Sequence, residues 1–387
     1  LVENNYHGGS FIIYRESVED ISNVVQIYST YSAFAALKSD GTVSAWGAAN
    51  GGGDLTNYQN TSYDYSNYNT TGEVLYTHNY GIDASDLSNV VQIYSNYRAF
   101  AALKSDGTVT AWGGHNYGGD ITNTHHSTSI RIDQSDLSNV VQIYATYNAF
   151  AALKADGTVS CWGSSTGGGD MTNSDWAAWH SPQYNVSIPD QSDLSNVIQI
   201  YATQSAFAAL KNDGTVVSWG SPTSGGDMKN SHQPNSIQVD VTDISNVVQI
   251  YSNTRAFAAL KSDGTVSVWG GGYNGWYGGN NLKVSNLNNV VQIYNNNFGF
   301  AALKSDGTVS VWGDPGEYGD YGTLQGSVPS ENNFVHIMGN SSAFAGLLKD
   351  GRVVSWGDET RGGNGSNLSS LNDIKMISND YINYRLI

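Results

Sequence analysis

Few side chains in this chain of 387 residues combine a type and a spacing that could do chemistry. His125-His126 could give two imidazoles to a metal, but no cysteine or acidic partner stands at ligand spacing beside them, and a solvated loop is the simpler reading. Gly-Gly-Asp recurs at Gly52-Gly53-Asp54, Gly118-Gly119-Asp120, Gly168-Gly169-Asp170 and Gly225-Gly226-Asp227. One carboxylate per copy is sparse for calcium, which takes about six to eight oxygens, so these segments read as tight turns leading to an outer strand. Serines and histidines are scattered without a nucleophile elbow, and no glycine-rich phosphate loop opens a helix. No catalytic residue, metal ligand or cofactor is therefore assigned. The aromatic insertions are richer. Asp175-Trp176-Ala-Ala-Trp179-His180, Tyr273-Asn-Gly-Trp276-Tyr277 and the tyrosines Tyr58, Tyr63, Tyr65, Tyr68 and Tyr76 could stack on sugar rings or anchor a protein neighbour. They could equally fold back onto their own unit, as compact loops do.

The elements that position these groups come from repetition. The pattern Val-x-x-Trp-Gly occurs at Trp46, Trp112, Trp162, Trp219, Trp269, Trp312 and Trp356, each time behind the same upstream segment. In the first copy that segment reads Ser22-Asn-Val-Val-Gln-Ile-Tyr28, Ala33-Phe-Ala-Ala-Leu-Lys38 and Asp40-Gly-Thr-Val-Ser-Ala-Trp46-Gly47. The tryptophans are 66, 50, 57, 50, 43 and 44 residues apart, close to propeller repeat lengths, and the differences are insertions after Trp-Gly. Val24 to Tyr28 reads as a β-branched strand. Ala33 to Lys38 alternates, with Phe34 and Ala36 on one face and Ala33, Ala35 and Leu37 on the other. Asp40-Gly41 marks a hairpin, after which Val43 and Ala45 face away from Ser44 and Trp46. Such a small sheet cannot bury both faces alone, and radial packing of seven gives a propeller. The fold expected is all-β, a seven-bladed β-propeller forming one domain over 1–387. At the ends, Asn5 to Ser10 mimics the tail of a repeat and a terminal partial repeat spans 371–387; a composite closing blade from both chain ends is expected, with a partial eighth blade or a continuing chain as alternatives.

Charged residues make up 13 % of the chain and the net charge is −17. Nucleic-acid binding needs clustered Lys and Arg, yet six of the 17 basic residues sit at the repeat position of Lys38. DNA, RNA and anionic membranes are disfavoured as partners. No apolar run approaches the ~20 residues of a membrane span. The single Cys161 excludes an internal disulfide framework and, in the slot of Ala45 and Val268, reads as a small hydrophobe. The chain opens on Leu1 without a basic or apolar leader, so it reads as a processed product or a piece of something longer.

The stretch Ala-Phe-Ala-Ala-Leu-Lys-x-Asp-Gly-x-Val-x-x-Trp-Gly resembles the repeat of the regulator of chromosome condensation family, over roughly residues 18–387 in all seven copies. The resemblance implies seven blades. It is closer to the compact bacterial branch, which includes a secreted β-lactamase-inhibitor protein, than to the nuclear exchange factor. The last copy departs from the pattern, with Leu347-Leu348-Lys349-Asp350-Gly351-Arg352 shifting the lysine and replacing threonine by arginine. Because one scaffold serves many functions, family function transfers poorly. In the inhibitor-like branch, the resemblance implies partner contacts from the loop between the first two strands of each blade.

That loop is the one part of the rigid unit that differs copy by copy: Tyr31-Ser32, Tyr97-Arg98, Tyr147-Asn148, Gln204-Ser205, Thr254-Arg255, Asn297-Phe298 and Ser341-Ser342. Radial packing would gather these pairs on one face around the axis, and Tyr, Arg and Phe are the residues of interface anchors; drift at unconstrained positions is the alternative. The expected partner-binding residues are Tyr31, Tyr97, Arg98, Tyr147, Asn148, Arg255 and Phe298, joined by Trp176, Trp179, Trp276 and Tyr277. The expectation is a non-enzymatic recognition module for a protein partner, extracellular or at a cell surface. Six Asn-x-Ser/Thr sequons and low lysine content point to that location. A self-associating structural subunit of an appendage or layer is the second reading, and a glycan-binding propeller the third.

Overall fold

The computed structural model describes residues 21–55, 59–63, 75–79, 84–121, 129–130, 134–169, 193–228, 244–272, 277–279, 284–313 and 330–363. Its architecture is seven antiparallel three-stranded blades, the sheets of a seven-bladed all-β propeller. In blade two the strands are Val90–Ser95, Ala99–Lys104 and Val109–Gly113. The first strands of the other blades are Val24–Ser29, Val140–Ala145, Val197–Ala202, Val247–Ser252, Val290–Asn295 and Phe334–Gly339. Blade three gains a fourth strand, Ser129–Ile130, which pairs with Gly163 and Ser164. All seven blades draw their three strands from residues 24–357; the terminal repeat 371–387 and the closing blade expected from the chain ends lie outside the described residues.

The alternation read from the sequence is the packing observed. Each blade has a trailing face of small residues and a leading face of aromatic ones. Ala33, Ala35, Leu37 and Val43 of blade one meet Ile93, Phe100, Ala102 and Trp112 of blade two in one buried cluster. The same seam recurs between every consecutive pair through blade seven. Alanine suits the trailing face because its small side chain lets the next Phe and Trp lie flat against the strand. Within a blade the two rings are stacked, as for Phe207 and Trp219 at 5.3 Å between centroids. Cys161 is 4 % exposed within such a cluster, packed as expected of a small hydrophobe.

The Trp-Gly and Gly-Gly motifs are the two sides of this seam. After the third strand the chain makes a short 3-10 turn ended by a left-handed glycine, Gly118 at φ 86° in blade two. The Gly118 carbonyl accepts the indole N–H of Trp162 from the next blade at 3.0 Å. A Cβ on Gly118 would come within 2.9 Å of the Phe150 ring, so space and φ both demand glycine. The second glycine lies on the Trp-Gly backbone: a Cβ on Gly119 would stand 2.4 Å from the Gly113 carbonyl carbon. Equivalent indole bonds run from Trp112 to Gly52, Trp219 to Gly168, Trp269 to Gly225 and Trp312 to Gly278.

The Asp-Gly-Thr hairpins do two jobs. Asp106 Oδ1 accepts the Thr108 backbone N–H at 2.9 Å and its hydroxyl at 2.7 Å, which fixes the turn. Gly107 then offers its carbonyl to the Val140 N–H of the next blade at 2.9 Å. The departing last copy keeps this chemistry. Arg352 donates its backbone N–H to Asp350 Oδ1 at 3.1 Å and its Nε–H to Oδ2 at 2.9 Å. Leu348 takes the register position of Lys104. Each first strand also carries a bulge after its first residue, and the extra residues, Val91 and its six counterparts, are 50–61 % exposed.

Two outcomes are expected. Trp219 is fully buried between blades, so Trp219→Ala should cost about 3–5 kcal/mol in denaturant unfolding; a loss under about 1 kcal/mol would contradict the seam. The hydroxyl and then the backbone N–H of the turn threonine hold the carboxyls of Asp40, Asp106, Asp156, Asp213, Asp263 and Asp306 below the usual value. Their contribution is therefore complete above the ordinary carboxylate pKa of about 4 and is lost as pH falls through the lower folded values. The melting temperature should drop on acidification through this window, and combined Asp→Asn changes at these turns should flatten the drop.

Candidate functional site: the axial loop ring

The loops between first and second strands are joined to one another. Tyr31 N–H donates to the Tyr97 carbonyl at 2.9 Å, Tyr97 to Tyr147 at 3.2 Å, Tyr147 to Gln204 at 2.9 Å and Gln204 to Thr254 at 2.9 Å. Asn297 donates to Ser341 at 3.3 Å on the far side. One residue per blade thus forms a backbone ladder across blades one to five, with a separate rung between blades six and seven, and the variable pairs expected to gather on one face do so.

A polar side chain sets the loop in six of the blades, buried in blades one to five and exposed in blade seven. In blades one, three and four it is Thr30, Thr146 or Thr203, whose hydroxyl donates to the carbonyl of Gly51, Gly167 or Ser224 in the 3-10 turn at 2.8–2.9 Å. In blades two, five and seven it is Asn96, Asn253 or Asn340, whose amide donates to the carbonyl of Tyr117, Tyr277 or Arg361 at 2.6–2.7 Å. The amide oxygen also accepts two loop N–H groups, Arg98 and Ala99 in blade two. Thr therefore accompanies a small turn residue and Asn a large one. The longer amide holds the turn farther from the loop, which leaves room for a Tyr or Arg side chain. Asn340 heads one of the sequons, and the nitrogen that a glycan would occupy is the one bonded to Arg361.

The large residues build two aromatic groups. Across blades one to three, Tyr31 lies 4.7 Å from Tyr97, and Tyr97 stacks on Tyr147 at 4.2 Å with 20° between planes. Tyr117 closes the group at 6.0 Å from Tyr97 and 6.3 Å from Tyr147. The Arg98 guanidinium lies over Tyr97 at 5.5 Å and Tyr117 at 5.8 Å. Burial, followed by a hydrogen bond with Tyr97, pushes the Tyr147 hydroxyl well above the ordinary tyrosine value, so it stays protonated. In blades five and six the pattern recurs: Arg255 lies 5.2 Å over Tyr277, which is 5.7 Å from Phe298. Asn148 is turned aside, its Oδ1 filling the space that Gly167 leaves.

The ring brings together Tyr31, Tyr97, Arg98 and Tyr147, and separately Arg255, Tyr277 and Phe298. Trp176, Trp179 and Trp276, with His125-His126, lie outside the described residues. Tyr117 and Arg361 belong to this face and were missed from sequence; their signal was the Thr-or-Asn choice about 21 residues upstream. Three of the chain's arginines, Arg98, Arg255 and Arg361, stand on this face of a chain with net charge −17. Among the described residues no three His, Cys, Asp or Glu side chains cluster as metal ligands, and no helix is long and apolar enough to cross a membrane.

No family model matches the sequence and no curated protein matches it. Among solved structures, the chain is similar to the CRINKLY WD40 ectodomain of the Arabidopsis thaliana receptor kinase ACR4, with 14 % identity, 91 % of this chain and 99 % of that one covered, and a TM-score of 0.33. It is similar to Prp20p of Saccharomyces cerevisiae, with 17 % identity, 87 % and 72 % covered, and a TM-score of 0.36. It is also similar to human WBSCR16, with 18 % identity, 90 % and 81 % covered, and a TM-score of 0.37. Structures of the regulator of chromosome condensation type are thus among those it resembles, while nothing in them singles out the compact bacterial branch.

Proposed function

We propose that this propeller is a non-enzymatic recognition module that binds a protein partner through its axial loop face. The observation that carries this reading is the continuous Tyr31, Tyr97 and Tyr147 stack with Arg98 seated over it, spread across three blades and fixed by the backbone ladder. Such a surface offers large rigid rings that lose little side-chain freedom on binding, the character of interface hot spots. Its arginines favour a partner that presents acidic groups there. An extracellular or surface location belongs to the same proposal; its support is the composition and the sequons other than Asn340. The glycan-binding alternative would draw on the aromatic insertions, whose tryptophans Trp176, Trp179 and Trp276 lie outside the described residues.

The test is a double variant, Tyr97→Ser with Arg98→Ser, compared with the unaltered chain for capture of protein partners from its native surroundings. Both side chains are only half-buried, so the melting temperature should move by no more than a few degrees. Capture should weaken at least about tenfold, a 1.4 kcal/mol loss typical of an anchor. Undiminished capture would remove the axial ring from consideration.

A further inference from the structure

Asp-Gly is a backbone step that rearranges without an enzyme, because glycine has no side chain to shield its nitrogen. This chain carries the step seven times, once in each blade hairpin from Asp40-Gly41 to Asp350-Gly351. The glycine nitrogen attacks the carbon of the protonated side-chain carboxyl and a C–N bond forms. The amide hydrogen and the carboxyl hydroxyl leave as water, giving a cyclic imide. Water then adds back. Opening at the main-chain carbonyl leaves the backbone running through the side chain, an isoaspartate of unchanged mass. The reaction needs a free glycine N–H, a protonated carboxyl and rotation of that carboxyl onto the nitrogen.

Every hairpin opposes the first requirement. The glycine N–H donates to the strand carbonyl three residues before it, from Gly41 to Lys38 through Gly351 to Leu348, at 2.9–3.0 Å. Six hairpins oppose the other two requirements in one way. The threonine two residues after the aspartate donates its backbone N–H at 2.9 Å and its hydroxyl at 2.6–2.7 Å to the same Oδ1. Both bonds favour the ionised carboxylate and direct it past the glycine. Threonine is stiff at χ1, so its hydroxyl has few other positions to take.

Blade seven keeps the pattern with weaker parts. Arg352 stands in the threonine place, and its backbone N–H reaches Asp350 Oδ1 at 3.1 Å. The hydroxyl bond is replaced by an ion pair from Nε to Oδ2 at 2.9 Å between side chains 52 % and 47 % exposed. An exposed pair on a long side chain has little net strength, and salt screens it. We propose that Asp350-Gly351 is the site of spontaneous isoaspartate formation among the seven steps, and that the turn threonine shields the other six. The product adds one methylene to the backbone between Ala343–Leu348 and Val353–Gly357. The axial loops lie at the opposite end of the strands, so the proposal is independent of partner binding there.

The experiment is incubation of the folded chain at neutral pH below its melting temperature, in low and high salt. It runs until a free peptide of residues 343–357, kept alongside, has converted. Peptide mapping with an isoaspartyl methyltransferase then locates the isomer, and unchanged mass separates it from deamidated Asn-Gly steps, which gain mass. Isoaspartate should accumulate at Asp350 about fivefold faster than at any threonine turn, the worth of one net hydrogen bond, and faster still in high salt. Arg352→Thr should bring Asp350 down to the level of the other six. Thr108→Val, which keeps the branched shape and removes the hydroxyl, should raise Asp106 by a similar factor. Melting curves confirm that both variants are folded. Isomer spread evenly over the seven turns, absent from Asp350, or unchanged there by Arg352→Thr would overturn the proposal. An Asp106 that Thr108→Val leaves unaffected would overturn the role given to threonine.

Discussion

The contact on which everything else rests is a flat one: the stacked Phe and Trp of one blade lying on the alanines of the blade before. It is apolar, so burial drives it, and the strand alternation that places both rings on one face makes it repeatable. Its single polar atom, the indole N–H, must be satisfied when buried. At five of the six seams the left-handed glycine carbonyl of the preceding blade does this, so the turn that carries the glycine is tied to the indole of the next blade. Seam, turn and loop are thereby coupled. Once the glycine is held by the neighbouring indole, the turn residue before it is held too, and the buried Thr or Asn ties the axial loop to that residue.

Much of the fold was legible because its instructions are short. The alternation of Ala33 to Lys38 gave both faces correctly, and the Asp-Gly-Thr hairpins formed as their turn chemistry dictates. Cys161 packs as its repeat slot required. What stayed hidden was long-range. Nothing within a single Gly-Gly reveals that its first glycine presses against the phenylalanine of a different blade and its second lies on an earlier Trp-Gly. The last copy looked irregular, with its lysine displaced and an arginine in place of threonine; in register it is regular, because Leu348 fills the lysine position and Arg352 bonds Asp350 as threonine does elsewhere.

The candidate site divides along the same line. The variable loop pairs could be read from sequence, since they stand out against a constant background. Which of them touch could not, because Tyr31, Tyr97 and Tyr147 are brought together only by the rotation between blades. Tyr117 escaped notice for a related reason. It is assigned by sequence to a turn in its own blade, and it reaches the tyrosine group only through the Asn96 bond.

The Thr-or-Asn choice has a consequence for how such a surface can change. The staple and the turn residue it holds behave as a two-position cassette, one small and one bulky version, and the bulky Tyr117 and Tyr277 also pack against the edge of the seam to the next blade. Exchanging a cassette between blades would move an arginine–tyrosine patch around the rim while the load of stability stays in the walls. A lineage carrying this repeat could redraw its contact surface by copying units it already owns, without first discovering a new side chain that folds.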